Sequence, residues 1–431
     1  MKKNKNLILK IISLGVSLAI GMILIAKVCF EMTYDHHYKD GKQIYSIITG
    51  YSQQGDAAKT FNKVSGAIAP GFKENIPGVE EATRITGLFN SEKFYDENHN
   101  AITGKSIIAD TCFFKIFNRP ILIGNPQEVL NIPREVMVSK TFAQKLRNIE
   151  NVVGTTIYNE EMPDVLFTIG GVYEDFPKNS SFNADVLISM ASYHKRSTEN
   201  WIGNDRYWAY VKLAKGVDPL SLKDNIRKMQ EKYQPIEEIE KEGTLLWYEL
   251  DPFLKQHLQN NYYRNTVIIF TIVAFLLIFT GLLNYLLIVL YSVVSRSKEV
   301  GVRKCYGANS KNIYGLFLKE AALDLILSII LAICIILASN NIITTIVGVE
   351  LKYLFTPISW WVLIGVCFIV FVISSLLPAQ MFSKIPVSSA FRNYQESKKK
   401  WKKNITFCTI SIFSFPFNII IGNRFSIQKD D

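Results

Sequence analysis

Cysteine is nearly missing from the longest polar stretch of this 431-residue chain. Of six cysteines, only Cys112 falls within residues 31–263. Cys29, Cys334, Cys367 and Cys408 lie in or beside hydrophobic runs, and Cys305 lies in a basic stretch. No disulfide can close within 31–263, and no CxxC or paired Cys/His spacing points to zinc. Histidine is equally sparse, with five in all. Asp35-His36-His37 is the one cluster, but adjacent residues point apart on a helix or a strand and a third ligand is missing, so it reads as a solvated linker. His99, His194 and His257 stand alone, and no Ser/His/Asp or Cys/His set can be assembled. A phosphate-cradling loop is also lacking, because Gly104-Lys105-Ser106 would need a glycine where His99 stands. These absences leave no catalytic residue, no metal site and no cofactor to assign to this chain.

Charge is absent from several long runs, and that absence is the main positive signal. Residues 266–294 carry no charge, and 321–347 are broken only by Asp324 and the Asn340–Asn341 pair. Residues 11–30 and 357–382 are similarly apolar. Runs of about 18 or more such residues are long enough to span a bilayer. The net charge of +10 is unevenly placed. Residues 31–263 carry 26 Lys and Arg against 31 Asp and Glu, and the excess of base flanks the hydrophobic runs. A nucleic-acid binder would carry its excess on a folded domain, so nucleic acid is excluded as a partner. Basic flanks face the cytoplasm. Lys2, Lys3, Lys5 and Lys10 put the N-terminus inside. The first run lacks an A-x-A-like cleavage site and reads as an uncleaved anchor.

Between the first two runs, 31–263 is long enough to bury a core outside the membrane. It alternates strand and helix signals and reads as a mixed α/β domain of two lobes. Strands are expected at 43–49, 83–88, 93–95, 135–138, 165–172, 207–213 and 244–250. Helices are expected at 56–72, ended by Pro70-Gly71, after Ser139, and from Asp218 to about residue 233. The fold class is therefore an α-helical membrane protein with four transmembrane helices, or five if 405–421 spans. The mixed α/β domain is inserted between helices 1 and 2. The division is 1–30 tail and first helix, 31–263 domain, 264–382 three-helix membrane domain, and 383–431 basic tail. The run at 266–294 is longer than the hydrocarbon requires, so it tilts or projects as a stalk.

The cytoplasmic loop at 295–320 has the most specific wording. It holds Arg296, Lys298, Arg303, Lys304 and Lys311 against Glu299 at its start. Glu299 and Arg303 stand at i,i+4 in the favourable order on a helix, Val302, Cys305 and Tyr306 share a face, and Gly307 fits a helix C-cap. Asn309 or Ser310 can cap the next helix. This short basic helix would lie across the inner mouth of the bundle. Asp324 is an intramembrane acid of uncertain role, close to Lys319 and Glu320, and reads as locally paired or snorkelling.

SRSKEVGVRKCYGAN resembles the cytoplasmic loop of MacB/FtsX-like ABC transporter permeases, R-x-K-E-I-G-I-R-K-A-x-G-A in type. Arg296, Lys298, Glu299, Gly301, Arg303, Lys304, Gly307 and Ala308 match, while Cys305 and Tyr306 depart mildly. LLPAQMFSKIPVSSAFRN resembles the family's post-helix signature at Pro378, Ala379, Ser383, Lys384, Pro386, Val387, Ala390 and Arg392. FEMTYDHHYKDGKQIYSI, VYEDFPKNSSFNADVLISM and WYELDPFLKQHL resemble the family's periplasmic core domain.

The resemblance implies an inner-membrane permease subunit with the stalk arrangement. It implies a dimer with a second permease copy or half, and a cytoplasmic ABC ATPase that docks on the basic loop and carries ATP and Mg. It also implies export or extraction of a substrate, with an extracytoplasmic adaptor or substrate and membrane lipid as further contacts. Alternatives are an FtsX-type signalling permease controlling a cell-wall hydrolase, and a truncated, inactive anchored domain. In one branch of the family a basic run such as KKKWKK leads into a second half, so the chain reads as the front half of a longer permease. The topology predicts that a membrane-impermeant thiol reagent modifies Cys305 only after cells are permeabilised. Modification in intact cells would place the loop outside.

Overall fold

The computed structural model describes residues 2–53, 56–203, 205–291 and 293–383, with side chains for all of these except 2–6, 293–298 and 382. Long uncharged runs can satisfy their backbone in hydrocarbon only by closing it on itself, which makes them helices. The helices used below are α1 (Lys2–Met32), α2 (Ile68–Asn75), α3 (Lys140–Leu146), α4 (Lys223–Tyr233), α5 (Phe253–Gln259), α6 (Asn261–Tyr291), α7 (Val293–Cys305), α8 (Ser310–Ala338) and α9 (Pro357–Ser383). Leu7–Met32 of α1, all of α6 and α8, and Pro357–Met381 of α9 are each long and apolar enough to cross a membrane.

Contacts divide the chain into two units. Among the described residues, one takes those up to Ile25, Ile272–Ile342 and those from Trp360 to Ser383, and the other takes Ala26–Thr271 and Ile343–Ser359. Within the first unit small residues bring helices together. Gly281 of α6 lies against Ser17 of α1, and Gly15 of α1 lies against Leu331 and the Ser328 carbonyl of α8. Close backbone approach at small residues is how membrane helices gain van der Waals contact when lipid is as apolar as their side chains.

The second unit is built on a 13-stranded sheet. Its strands are β1 (Ile44–Gln53), β2 (Lys59–Phe61), β3 (Val79–Thr86), β4 (Lys93–Tyr95), β5 (Ala101–Thr103), β6 (Ser106–Ala109), β7 (Ile121–Ile123), β8 (Glu135–Ser139), β9 (Thr156–Asn159), β10 (Met162–Tyr173), β11 (Val186–Ser189), β12 (Trp208–Leu213) and β13 (Thr244–Pro252). The main path runs β13-β1-β12-β3-β6-β11-β8-β10-β9-β4-β5, with β2 on β1 and β7 on β10. The β6–β11 and β8–β10 pairs are parallel, and their neighbours along the path are antiparallel. Side chains alternate across the two faces of a strand. Accordingly Val136, Val138, Val186, Ile188, Ala209 and Val211 fill one core, whereas Met137, Leu187 and Tyr210 fill another. The two lobes expected from the sequence thus share one connected sheet with a core on each face.

Most expected elements are present, including β8 running into α3. There Ser139 Oγ accepts the Phe142 N–H. The helix expected at 56–72 is not. Residues 59–61 pair with β1 instead, and Val64 exchanges backbone hydrogen bonds with Tyr207. Tertiary pairing overrides a helical pattern, and α2 begins only at Ile68. Pro70 sits in the first turn of α2, where a missing N–H costs nothing, so Pro-Gly does not stop this helix.

A Cβ at Gly281 would collide with the Ser17 hydroxyl. Gly281→Leu should therefore destabilise the detergent-solubilised protein by about 1–3 kcal/mol, the usual cost of overpacking. Gly365→Leu, where nothing lies within 4 Å of the added atom, should leave the melting temperature unchanged.

Candidate functional site

The first part of the expected cytoplasmic loop is helix α7, described from Val293 to Cys305. Its end has the geometry the glycine promised. Gly307 adopts φ +87, its N–H bonds to the Lys304 carbonyl at 3.1 Å, and the Ala308 N–H bonds to the Arg303 carbonyl at 3.0 Å. This is a Schellman closure, which needs a left-handed residue and favours glycine there. Asn309, rather than Ser310, caps α8, its side chain accepting the Asn312 N–H.

Along α7, Glu299, Val302, Arg303 and Tyr306 fall on one face and all are exposed, Tyr306 at 89%. Glu299 and Arg303 pair at 3.1 Å. On the other side Val300 and Gly301 are buried, and Lys304 Nζ donates to the Ser383 carbonyl at 2.8 Å. That bond joins the loop to the end of α9, so the two sequence motifs meet in space. Pro378 lies inside α9 and Ala379 is fully buried. Lys384, Pro386, Val387, Ala390, Arg392 and the segment 405–421 lie outside the described residues, as do the side chains of Arg296 and Lys298.

Asp324 is neither snorkelling nor paired with Lys319. It is 1% exposed, and α8 begins 14 residues before it, roughly 21 Å along the helix. Its Oδ2 accepts from Lys10 Nζ at 2.9 Å and from the Tyr285 hydroxyl at 3.1 Å. Lys10 also reaches Glu320 at 3.1 Å. Lys10 and Tyr285 are partners that local sequence could not supply. The only available signal was an acid within one apolar run and a base at the edge of another.

A second cluster forms in the other unit, where α1 ends and α6 begins. The Asp35-His36-His37 stretch is solvated only in part: His36 is exposed, whereas Asp35 is 1% and the adjoining Tyr38 4% exposed. Asp35 takes φ +62, a left-handed conformation that aspartate tolerates better than most residues. Its carboxylate accepts the Ser181 N–H at 2.7 Å, Ser181 Oγ at 2.5 Å and Ser180 Oγ at 3.3 Å. His257 is not isolated either. It stacks on Tyr34 at 3.7 Å and on Tyr263 at 4.1 Å, and it bonds to Glu31, which also pairs with Lys27 at 2.6 Å. Beside them lies an open cleft of about 440 Å³ rimmed by His36, Lys255 and Arg264.

Tyr38, Phe117, Phe176, Phe182, Tyr210 and Phe253 belong to one aromatic core in this unit. Phe117 and Phe182 centroids are 4.3 Å apart, and Tyr38 and Phe253 approach Phe117 at 5.3 and 5.2 Å. The three phrases that carried the domain resemblance therefore converge on one place. Elsewhere, the Lys105 N–H of the Gly-Lys-Ser tripeptide is taken by the Asp185 carboxylate at 3.0 Å, which is the wrong charge for a phosphate cradle.

Burial holds His37 down to about 4, helped by Arg119 and His36, and neither ring nitrogen has a hydrogen-bond partner among the described residues. The unfolded chain takes up a proton near pH 6.5 that the folded domain refuses, so His37 costs stability as pH falls from about 6.5 to 4. Asp35 acts in the opposite sense, because burial raises its carboxyl despite bonds from Ser181 and Ser180. Its contribution improves as pH falls through that raised value toward 3.8. His37→Leu should therefore raise the melting temperature at pH 5 more than at pH 7.5. An equal shift at both pH values would remove His37 from the acid response.

The chain matches the MacB-like periplasmic core domain over residues 7–229 and the FtsX-like permease C-terminal domain over 271–387. Among solved structures, a domain described as part of a permease protein from Porphyromonas gingivalis is 36% identical, with TM-score 0.46, covering 50% of this chain and 92% of that one. The periplasmic region of MacB from Actinobacillus actinomycetemcomitans is 14% identical, with TM-score 0.34, covering 51% and 94%. The extracellular domain of the noncanonic ABC-type transporter YknZ from Gram-positive bacteria is 16% identical, with TM-score 0.31, covering 47% and 98%. No curated protein matches the chain. The four helices among the described residues that are long and apolar enough to cross a membrane, and the mixed α/β domain between the first two, agree with both matched domains, and the chain belongs to the MacB/FtsX-like ABC permeases of the inner membrane.

Proposed function

We propose that this permease receives motion from a separate cytoplasmic ABC ATPase through α7 and passes it to the extracytoplasmic domain. The observation that carries this reading is the stripe Glu299, Val302, Arg303 and Tyr306, exposed on one side of a helix held from behind by Lys304. An exposed i,i+4 ion pair contributes only about 0.3–0.5 kcal/mol to a helix, so these charges do little for the fold. Tyrosine and arginine are the residue types that most often dominate binding at an interface, and this tyrosine is left in water. Arg296, Lys298, Gly301, Gly307 and Ala308 shape and charge the same element.

In this reading ATP and Mg reside on the partner subunit, and the permease works as a dimer. In sequence, α1 directly precedes the domain and α6 directly follows it. Substrate is exported or extracted on the outer side. The reversal Glu299→Arg with Arg303→Glu keeps an internal pair but inverts the charges offered to a partner. It should reduce the ATPase recovered in a detergent pull-down at least 10-fold while membrane insertion stays normal. Full recovery of ATPase with that variant would refute docking through this stripe.

A further inference from the structure

Lys10, Tyr285 and Asp324 come from three helices, and none belongs to the docking stripe. Lys10 on α1 donates to Asp324 on α8 at 2.9 Å, and Tyr285 on α6 donates to the same oxygen at 3.1 Å. Lys10 Nζ also lies 5.6 Å from the Tyr285 ring centroid. The side chains of Lys10 and Asp324 are 7% and 1% exposed. Asp324 Oδ1 is buried without a partner among the described residues. Taking such a pair out of water is costly, and apolar residues of similar size often hold a protein together as well or better. Stability is therefore a poor reason for charges at this point.

Geometry supplies a better one. α1 lies close to both neighbours, with Gly15 on Leu331 and Ser17 on Gly281. Apolar contacts of this kind are compatible with more than one register along a groove, whereas a 2.9 Å ion pair is met in one setting only. The two helices that supply Tyr285 and Asp324 are those immediately before and after α7 in the chain. We propose that Lys10, Asp324 and Tyr285 form a register clamp that fixes α1 against α6 and α8. These are positioning residues, and the clamp makes α1 follow whatever motion the α7 region undergoes. The transmission part rests on the reading that α7 receives that motion, but the register part does not.

The register is read directly by cross-linking the full chain in membranes, with native cysteines replaced by serine. Gly15→Cys with Leu331→Cys reports the observed setting, and Gly15→Cys with Leu327→Cys reports a slip of one turn. With the clamp intact, the first pair should cross-link at least 10-fold more than the second. Lys10→Met with Asp324→Leu should bring the ratio below 3-fold without lowering expression. The exchange Lys10→Asp with Asp324→Lys should restore it. An undiminished ratio in the apolar pair overturns the clamp.

In the complex with its ATPase, the apolar pair should retain the ATPase in a pull-down. It should lose most of the ATP-induced change in hydrogen exchange over residues 33–260. Loss of the ATPase from the wild-type chain would instead defeat the docking reading and leave the cross-linking result standing. Retention of the full exchange change with the apolar pair would show that the pair is structural only.

Discussion

The extracytoplasmic unit depends on one aromatic core, because the segments that leave α1 and enter α6 are both anchored in it. Tyr38 comes from the first segment, Phe253 from the second, and Phe176 and Phe182 from a turn of the chain between them. Offset and edge-on ring pairs are each worth about 0.5–1.5 kcal/mol beyond the area they bury. Polar bonds then fix the direction of the chain. Asp35 holds Ser180 and Ser181, and Glu31 holds Lys27 and His257. Tyr38 and Phe253, which follow α1 and precede α6 in the chain, are thus part of this unit's own core.

The membrane unit obeys a different rule. Its helices gain little from hydrophobic burial, because lipid offers the same surroundings, so small residues allow close approach and buried polar bonds add specificity. Gly15, Gly281 and Ser17 bring α1 close, and Lys10 and Tyr285 meet Asp324 on the same three helices. The exposed stripe on α7 has neither type of contact among the described residues, which is consistent with its proposed role as the surface offered to another protein.

Much of the architecture was legible in the chain. Periodicity and turn chemistry located most strands, the Asp218 and Ser139 caps, and the Gly307 closure, because each depends on residues within a few positions of one another. The helix expected at 56–72 failed for the opposite reason. Its residues are captured by β1 and Tyr207, which are distant in sequence. The Asp35 stretch was misread in the same way. Its polarity suggested solvent, but Ser180 and Ser181 supply the missing hydrogen bonds from about 145 positions away.

By itself, the sequence determined which of the described runs are helices fit for a membrane, which side the basic loops face and where the family's wording lies, since apolar length and flanking charge act locally. The tertiary structure alone decided that Lys304 meets Ser383, that Lys10 meets Asp324 and that three distant phrases share one aromatic core. Those contacts join residues that no periodicity relates. A hydrogen bond or ion pair depends on the distance in space between two atoms, and only the folded chain sets that distance.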